Sequence, residues 1–113
     1  MDKKIPLRIN SLLKFIDEVL NDTKEIELKD LEETSILLRA TCFSITQIGE
    51  QMNKLEKLLT DRYPDLPLRS AKRTRNFLVH EYERIDVEIV YTIIKEDLPA
   101  LKQSLEKIKK DFE

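Results

Sequence analysis

Three features of this sequence predict an all-α fold, an antiparallel up-and-down bundle of four main helices with its last helix kinked or split. Apolar residues recur at steps of three, four and seven rather than two. One glycine and four prolines leave little material for hairpins and β-turns. Leu, Ile, Lys and Glu dominate, and no stretch alternates as a half-buried strand would.

The first apolar stripe is Ile9, Leu12, Leu13, Ile16, Val19 and Leu20, which predicts an amphipathic helix over about 6–21. Pro6 suits its first turn, and NDTKE at 21–25 reads as a connection. Next, Leu31, Leu38, Ile45, Met52 and Leu59 repeat every seven residues, with Ile48 and Leu55 as a second row. That pattern predicts one helix from about 27 to 60, roughly 50 Å long. Thr34 and Thr41 stand where its earlier second row would be apolar. The prolines of DRYPDLP, residues 61–67, end it. A third helix is expected over about 66–82 and a short corner at ERID, residues 83–86. Val87, Val90, Ile94, Leu98, Leu101, Leu105, Ile108 and Phe112 then mark a fourth. Pro99 falls inside it, which predicts a kink there or a restart capped by Asp97.

A length of 113 residues fits one domain, 1–113, and no linker, repeat or low-complexity tract divides it. Hydrophobic residues make up 41%, too many for a disordered chain. Cys42 is the single cysteine, so no intrachain disulfide can form, and a cytoplasmic location is expected. It is read as a small buried residue, and Gly49 as a close-packing position. The charged N-terminus does not read as a signal peptide, and no apolar run approaches the ~18–20 residues of a membrane span. One His and one Cys without paired-ligand spacing give no basis for a metal or cofactor site.

The stretch most able to carry chemistry is RNFLVHEY, residues 75–82. His80 is the only side chain in it whose ordinary pKa lies near neutrality, which suits proton transfer. Asn76 lies four residues earlier, on the same helical face, and can hydrogen-bond the imidazole or a ligand. Arg75 lies roughly 140° round the helix from His80, so it must curl, sit near the helix end, or serve a neighbouring subunit. Arg69, Lys72, Arg73 and Arg75 fall within seven residues free of acids, although formal net charge is −2. Such a run favours an anion, above all a phosphate. The plainer reading of each is structural: His80 as a helix-end cap, Arg75 in an interhelical ion pair, Asn76 bonded to a neighbouring helix, Tyr82 as an aromatic plug, Glu50 and the basic run as solvated face.

Cleavage of RNA with a ribose 2′-hydroxyl as nucleophile calls for a general base and a general acid. One chain supplies one histidine, so a two-fold dimer would supply both.

IGE at 48–50, YPDLP at 63–67, RNFLVHEY at 75–82 and ID at 85–86, in that order, resemble the HEPN superfamily, and within it the HepT-like toxin branch. DLP at 97–99 agrees as well. The resemblance rests on Arg75-x4-His80, extended to His80-x-Tyr82. It implies an all-α dimer whose Arg75 and His80, from both chains, cleave RNA without metal in a cleft between protomers. It also implies an antitoxin partner, an MntA-type minimal nucleotidyltransferase that transfers AMP to Tyr82 and so blocks the cleft by charge and volume. The branch usually has Trp where Leu68 stands and Gly-Met where Arg73-Thr74 stand, which bears on the dimer contact and the cleft floor. Two other readings stand beside this one. The chain is then a non-catalytic helical partner or AMPylation substrate of a nucleotidyltransferase, or a plain dimeric bundle.

Overall fold

A computed structural model gives the fold, and the residues described below are 4–59, 73–74, 77 and 84–112. Helix α1 runs Lys4–Thr23, α2 Leu28–Glu33, α3 Ser35–Leu59, α4 Val87–Thr92 and α5 Leu98–Lys110. Between α4 and α5 lies a π-helical turn, Ile93–Asp97, so that the three make one continuous helical rod. Among the described residues there is no strand.

Helix α1 forms as its stripe predicts, a turn longer than expected, and buries Ile9, Leu12, Leu13, Ile16 and Val19. Its end is tied down twice. The Thr23 hydroxyl donates to the Val19 carbonyl at 2.7 Å. Lys95 Nζ reaches across to donate to the carbonyls of Thr23 at 2.9 Å and Lys24 at 3.2 Å. A cation on those last carbonyls opposes the negative end of the helix dipole.

The expected single helix over 27–60 is broken into α2 and α3. Thr34 is extended, with φ −116° and ψ 96°; its N–H donates to Asp30 and its carbonyl accepts from Leu38. One residue thus ends α2 and starts α3. Thr and Ser are poor in helix interiors and good at helix starts, and Thr34-Ser35 was the local signal for this break. The break leaves the buried row intact: Leu31, Leu38, Ile45, Met52 and Leu59 are all buried, as are Ile48 and Leu55. Helix α2 starts where the Glu27 N–H donates to the Asp30 carboxylate at 2.9 Å.

Gly49 is buried in α3 with an ordinary negative φ, which makes it a position chosen for size rather than for backbone freedom. Glu50 beside it is exposed, in line with a solvated role.

The last rod begins at Asp86, whose carboxylate accepts from the N–H groups of Glu88 at 3.0 Å and Ile89 at 3.3 Å. Near Pro99 the helix neither splits nor restarts. The turn before it widens instead, and the Leu98 N–H donates to the Ile93 carbonyl five residues back. A proline has no N–H, and its ring crowds the preceding turn. The wider turn takes up that misfit and keeps Ile93, Ile94 and Leu98 in the core. Asp97 is not the cap that was expected: it is itself helical, and its side chain caps no N–H.

Helix α1 packs on both α3 and α5, and α2 on α3 and α4, around one apolar cluster. Lys102 and Asp17 join α5 to α1 at 2.7 Å. The described helices include none long and apolar enough to cross a membrane. Cys42 is buried in the cluster, and burial pushes its thiol up to about 11. The thiolate is the reactive form, so Cys42 is expected to resist a thiol reagent at neutral pH in the folded protein and to react fully once the chain is unfolded in denaturant. Rapid stoichiometric labelling of the native protein, read by absorbance, would contradict this packing.

Candidate active site

Of the stretch singled out by the sequence, residues 75–82, Phe77 is described, and just before it Arg73 and Thr74. Arg69, Lys72, Arg75, Asn76, His80 and Tyr82, with Leu68, lie outside the described residues.

Arg73 and Thr74 are helical. The Phe77 N–H donates to the Thr74 carbonyl at 3.2 Å, and the Phe77 ring packs against the core cluster. Thr74 is fully buried, and its hydroxyl finds no hydrogen-bond partner among the described residues. So the place where Gly-Met was expected holds a buried hydroxyl next to an arginine.

Arg73 was read as either an RNA contact or part of a solvated face. Its Nε lies 3.2 Å from Oδ2 of Asp97, and half of its side chain stays exposed while Asp97 is buried. Oδ2 accepts no hydrogen bond among the described residues, so the contact is one of charge without an aligned N–H. Burial pushes the Asp97 carboxyl above its ordinary value, Arg73 pulls it back, and Glu96 pushes it further up. Sequence reasoning had Asp97 as a cap and missed this pairing. A partner 24 residues away in the chain leaves no local signal.

The matched blocks therefore have physical tasks where they are described. Ile48 and Gly49 are buried in α3, Ile85 packs on the core, Asp86 caps α4, and Asp97 meets Arg73 beside the motif.

Residues 9–108 match the family described as Ribonuclease HepT-like. The chain belongs to the HepT-like ribonuclease family. Two proteins of Methanocaldococcus jannaschii named as candidate RNases are similar to it. One is 29% identical over 90% of this chain and 84% of its own. The other is 28% identical over 90% and 88%. A protein of Thermococcus cleftensis named "Probable ribonuclease HepT" is 28% identical over 90% of this chain and 93% of its own. No solved structure matches the chain. A family of ribonucleases is the enzyme class to which the Arg75-x4-His80 pattern pointed.

The ion pair sets a pH test. Arg73→Ala leaves Asp97 buried without its cation, which is expected to cost roughly 1–2 kcal/mol near neutral pH, discounted for the half-exposed arginine. Asp97 takes up a proton more readily folded than unfolded, so its charge lowers stability as pH rises through the window above 3.8. Without Arg73 that window extends higher. The stability gap between wild type and variant, from urea unfolding, is expected to be largest at neutral pH and to vanish below about pH 4. A gap independent of pH would show that Arg73 acts by packing alone.

Proposed function

We propose that this chain is a metal-independent RNA endonuclease, the toxin of a pair with a minimal nucleotidyltransferase antitoxin, which cleaves RNA in a cleft between two copies with Arg75 and His80. The observation that carries it is the family match over 9–108 around an intact Arg75-x4-His80-x-Tyr82.

The chemistry follows from the residues. A neutral His80 imidazole takes the proton of a ribose 2′-hydroxyl, and that oxygen attacks the adjacent phosphorus. The bond from phosphorus to the 5′-oxygen breaks, and the protonated His80 of the second copy returns a proton to it. The products are a 2′,3′-cyclic phosphate and a free 5′-hydroxyl. Arg75 keeps its charge at every relevant pH and supplies a two-pronged donor for the negative charge that grows on the phosphoryl oxygens. Asn76 orients the imidazole or the substrate, and Arg69, Lys72 and the exposed half of Arg73 draw the RNA backbone. AMP placed on Tyr82 by the antitoxin adds a bulky anion beside the site and repels the substrate.

A second reading has one observation in its favour. Arg73, part of the basic run, is directed to Asp97. On that reading the chain is a helical partner or AMPylation substrate of the nucleotidyltransferase and cleaves nothing.

Protein made without any partner, incubated with labelled tRNA in EDTA, is expected to cut it and leave 2′,3′-cyclic phosphate ends. His80→Ala of matched circular dichroism is expected to cut at least roughly 100-fold more slowly. Equal cutting by both, or none by a wild type whose Tyr82 is unmodified by mass spectrometry, would contradict the proposal.

A further inference from the structure

We propose that Asp97 is a positioning residue: by holding Arg73 it sets where the chain runs into Arg75 and so places Arg75 and His80 for cleavage. This rests on the reading of Arg75 and His80 as the cleaving pair.

The described residues around Arg75 and Asn76 are all held from within the fold. Thr74 is fully buried before them, Phe77 packs on the core after them, and Thr74 and Phe77 are joined by a backbone hydrogen bond. Arg73 adds an ionic contact to Asp97 at 3.2 Å. Asp97 in turn stands on a fixed base. It closes the π turn, where Leu98 bonds back to Ile93, and two residues earlier Lys95 bonds the carbonyls that end α1. A line of contacts thus runs from the end of α1, through one widened turn, to the residue two places before Arg75.

Asp97 is a poor choice for stability alone. Its carboxyl is buried, its Oδ2 accepts no hydrogen bond among the described residues, and burial works against its charge. An apolar side chain of that size would fill the same place without that penalty. A buried charge kept beside a motif suits a supporting contact of a site, because it draws one cationic side chain, Arg73, to one place.

The chain has one histidine, so the imidazole signal of His80 in proton NMR is unique and reads the site without RNA. Full-length wild type, Asp97→Asn, Arg73→Ala and the double variant are to be titrated, with Ile16→Val as a control that loosens the core elsewhere. Direct charge effects would move the His80 midpoint in opposite directions, since one variant removes an anion and the other a cation. Displacement of the segment moves both the same way. The expected result is a shift of roughly half a pH unit in the same direction in both, no larger in the double variant, and the wild-type midpoint in Ile16→Val. In RNA cleavage by Asp97→Asn kcat is expected to fall roughly tenfold with KM changed less than about twofold. Opposite shifts, an unmoved midpoint, or an equal shift in Ile16→Val would overturn the proposal. If Asp97→Asn does not fold, Arg73→Ala, altered on a half-exposed side chain, decides by the same midpoint. A wild type that cuts no RNA would remove the cleavage reading, while the titration would still decide whether the Arg73–Asp97 pair shapes the surroundings of His80.

Discussion

The widened turn at Ile93–Asp97 is the constraint on which the rest of this molecule depends. Pro99 cannot donate to the turn behind it, and its ring presses on that turn. The chain answers with one i→i+5 hydrogen bond rather than with a break, and the rod from Val87 to Lys110 stays continuous. Continuity lets Ile93, Ile94 and Leu98 share the core with Leu101, Leu105 and Ile108. The same turn sends out two charged side chains in different directions. Lys95 goes to the end of α1, and Asp97 goes to Arg73. A proline that reads in the sequence as a defect therefore marks the place where three parts of the chain are tied together.

Most of the helical framework was legible in the sequence because it is written in spacing. The steps of Ile9, Leu12, Ile16 and Val19, and the sevenfold row from Leu31 to Leu59, are the residues that the structure buries. A helix-forming stripe needs only the chain's own periodicity, which is local. What was misjudged depends on competition or on distance. The break at Thr34 was hidden because the apolar row passes across it without a fault, so periodicity argued for one helix while a single β-branched residue with a helix start behind it ended another. Pro99 announced a disturbance, but the physics of the preceding turn decided that it would be a widening one turn earlier. Asp97 before Leu98 and Pro99 has the look of a cap, and only its approach to Arg73 in space gives it another task. The candidate site was legible as a pattern, Arg75-x4-His80-x-Tyr82, and Arg75, His80 and Tyr82 lie outside the described residues. What the structure adds is their setting at Arg73, Thr74 and Phe77.

Membership in the HepT-like ribonuclease family agrees with this framework over 9–108. It also makes the departures informative. Where Gly-Met was expected, this chain has an arginine that finds a buried acid and a threonine with no exposure. A glycine there would permit a close backbone approach, whereas Arg73-Thr74 fills the space and adds a charge link. On the proposed mechanism that stretch needs a firm hold, since a displacement of about 1 Å in a catalytic group can cost two orders of magnitude in rate.

On the proposed mechanism one histidine per chain suffices because two chains share a site. Subunit mixing tests it most directly. Wild type and His80→Ala are refolded together at fixed total concentration, and RNA cleavage is followed as the wild-type fraction falls. If each cleft needs both histidines, mixed dimers are inactive and activity follows the square of that fraction, so an equal mixture keeps about a quarter of it. An equal mixture that keeps half, with activity falling in proportion, would mean that each chain works alone and would contradict the account.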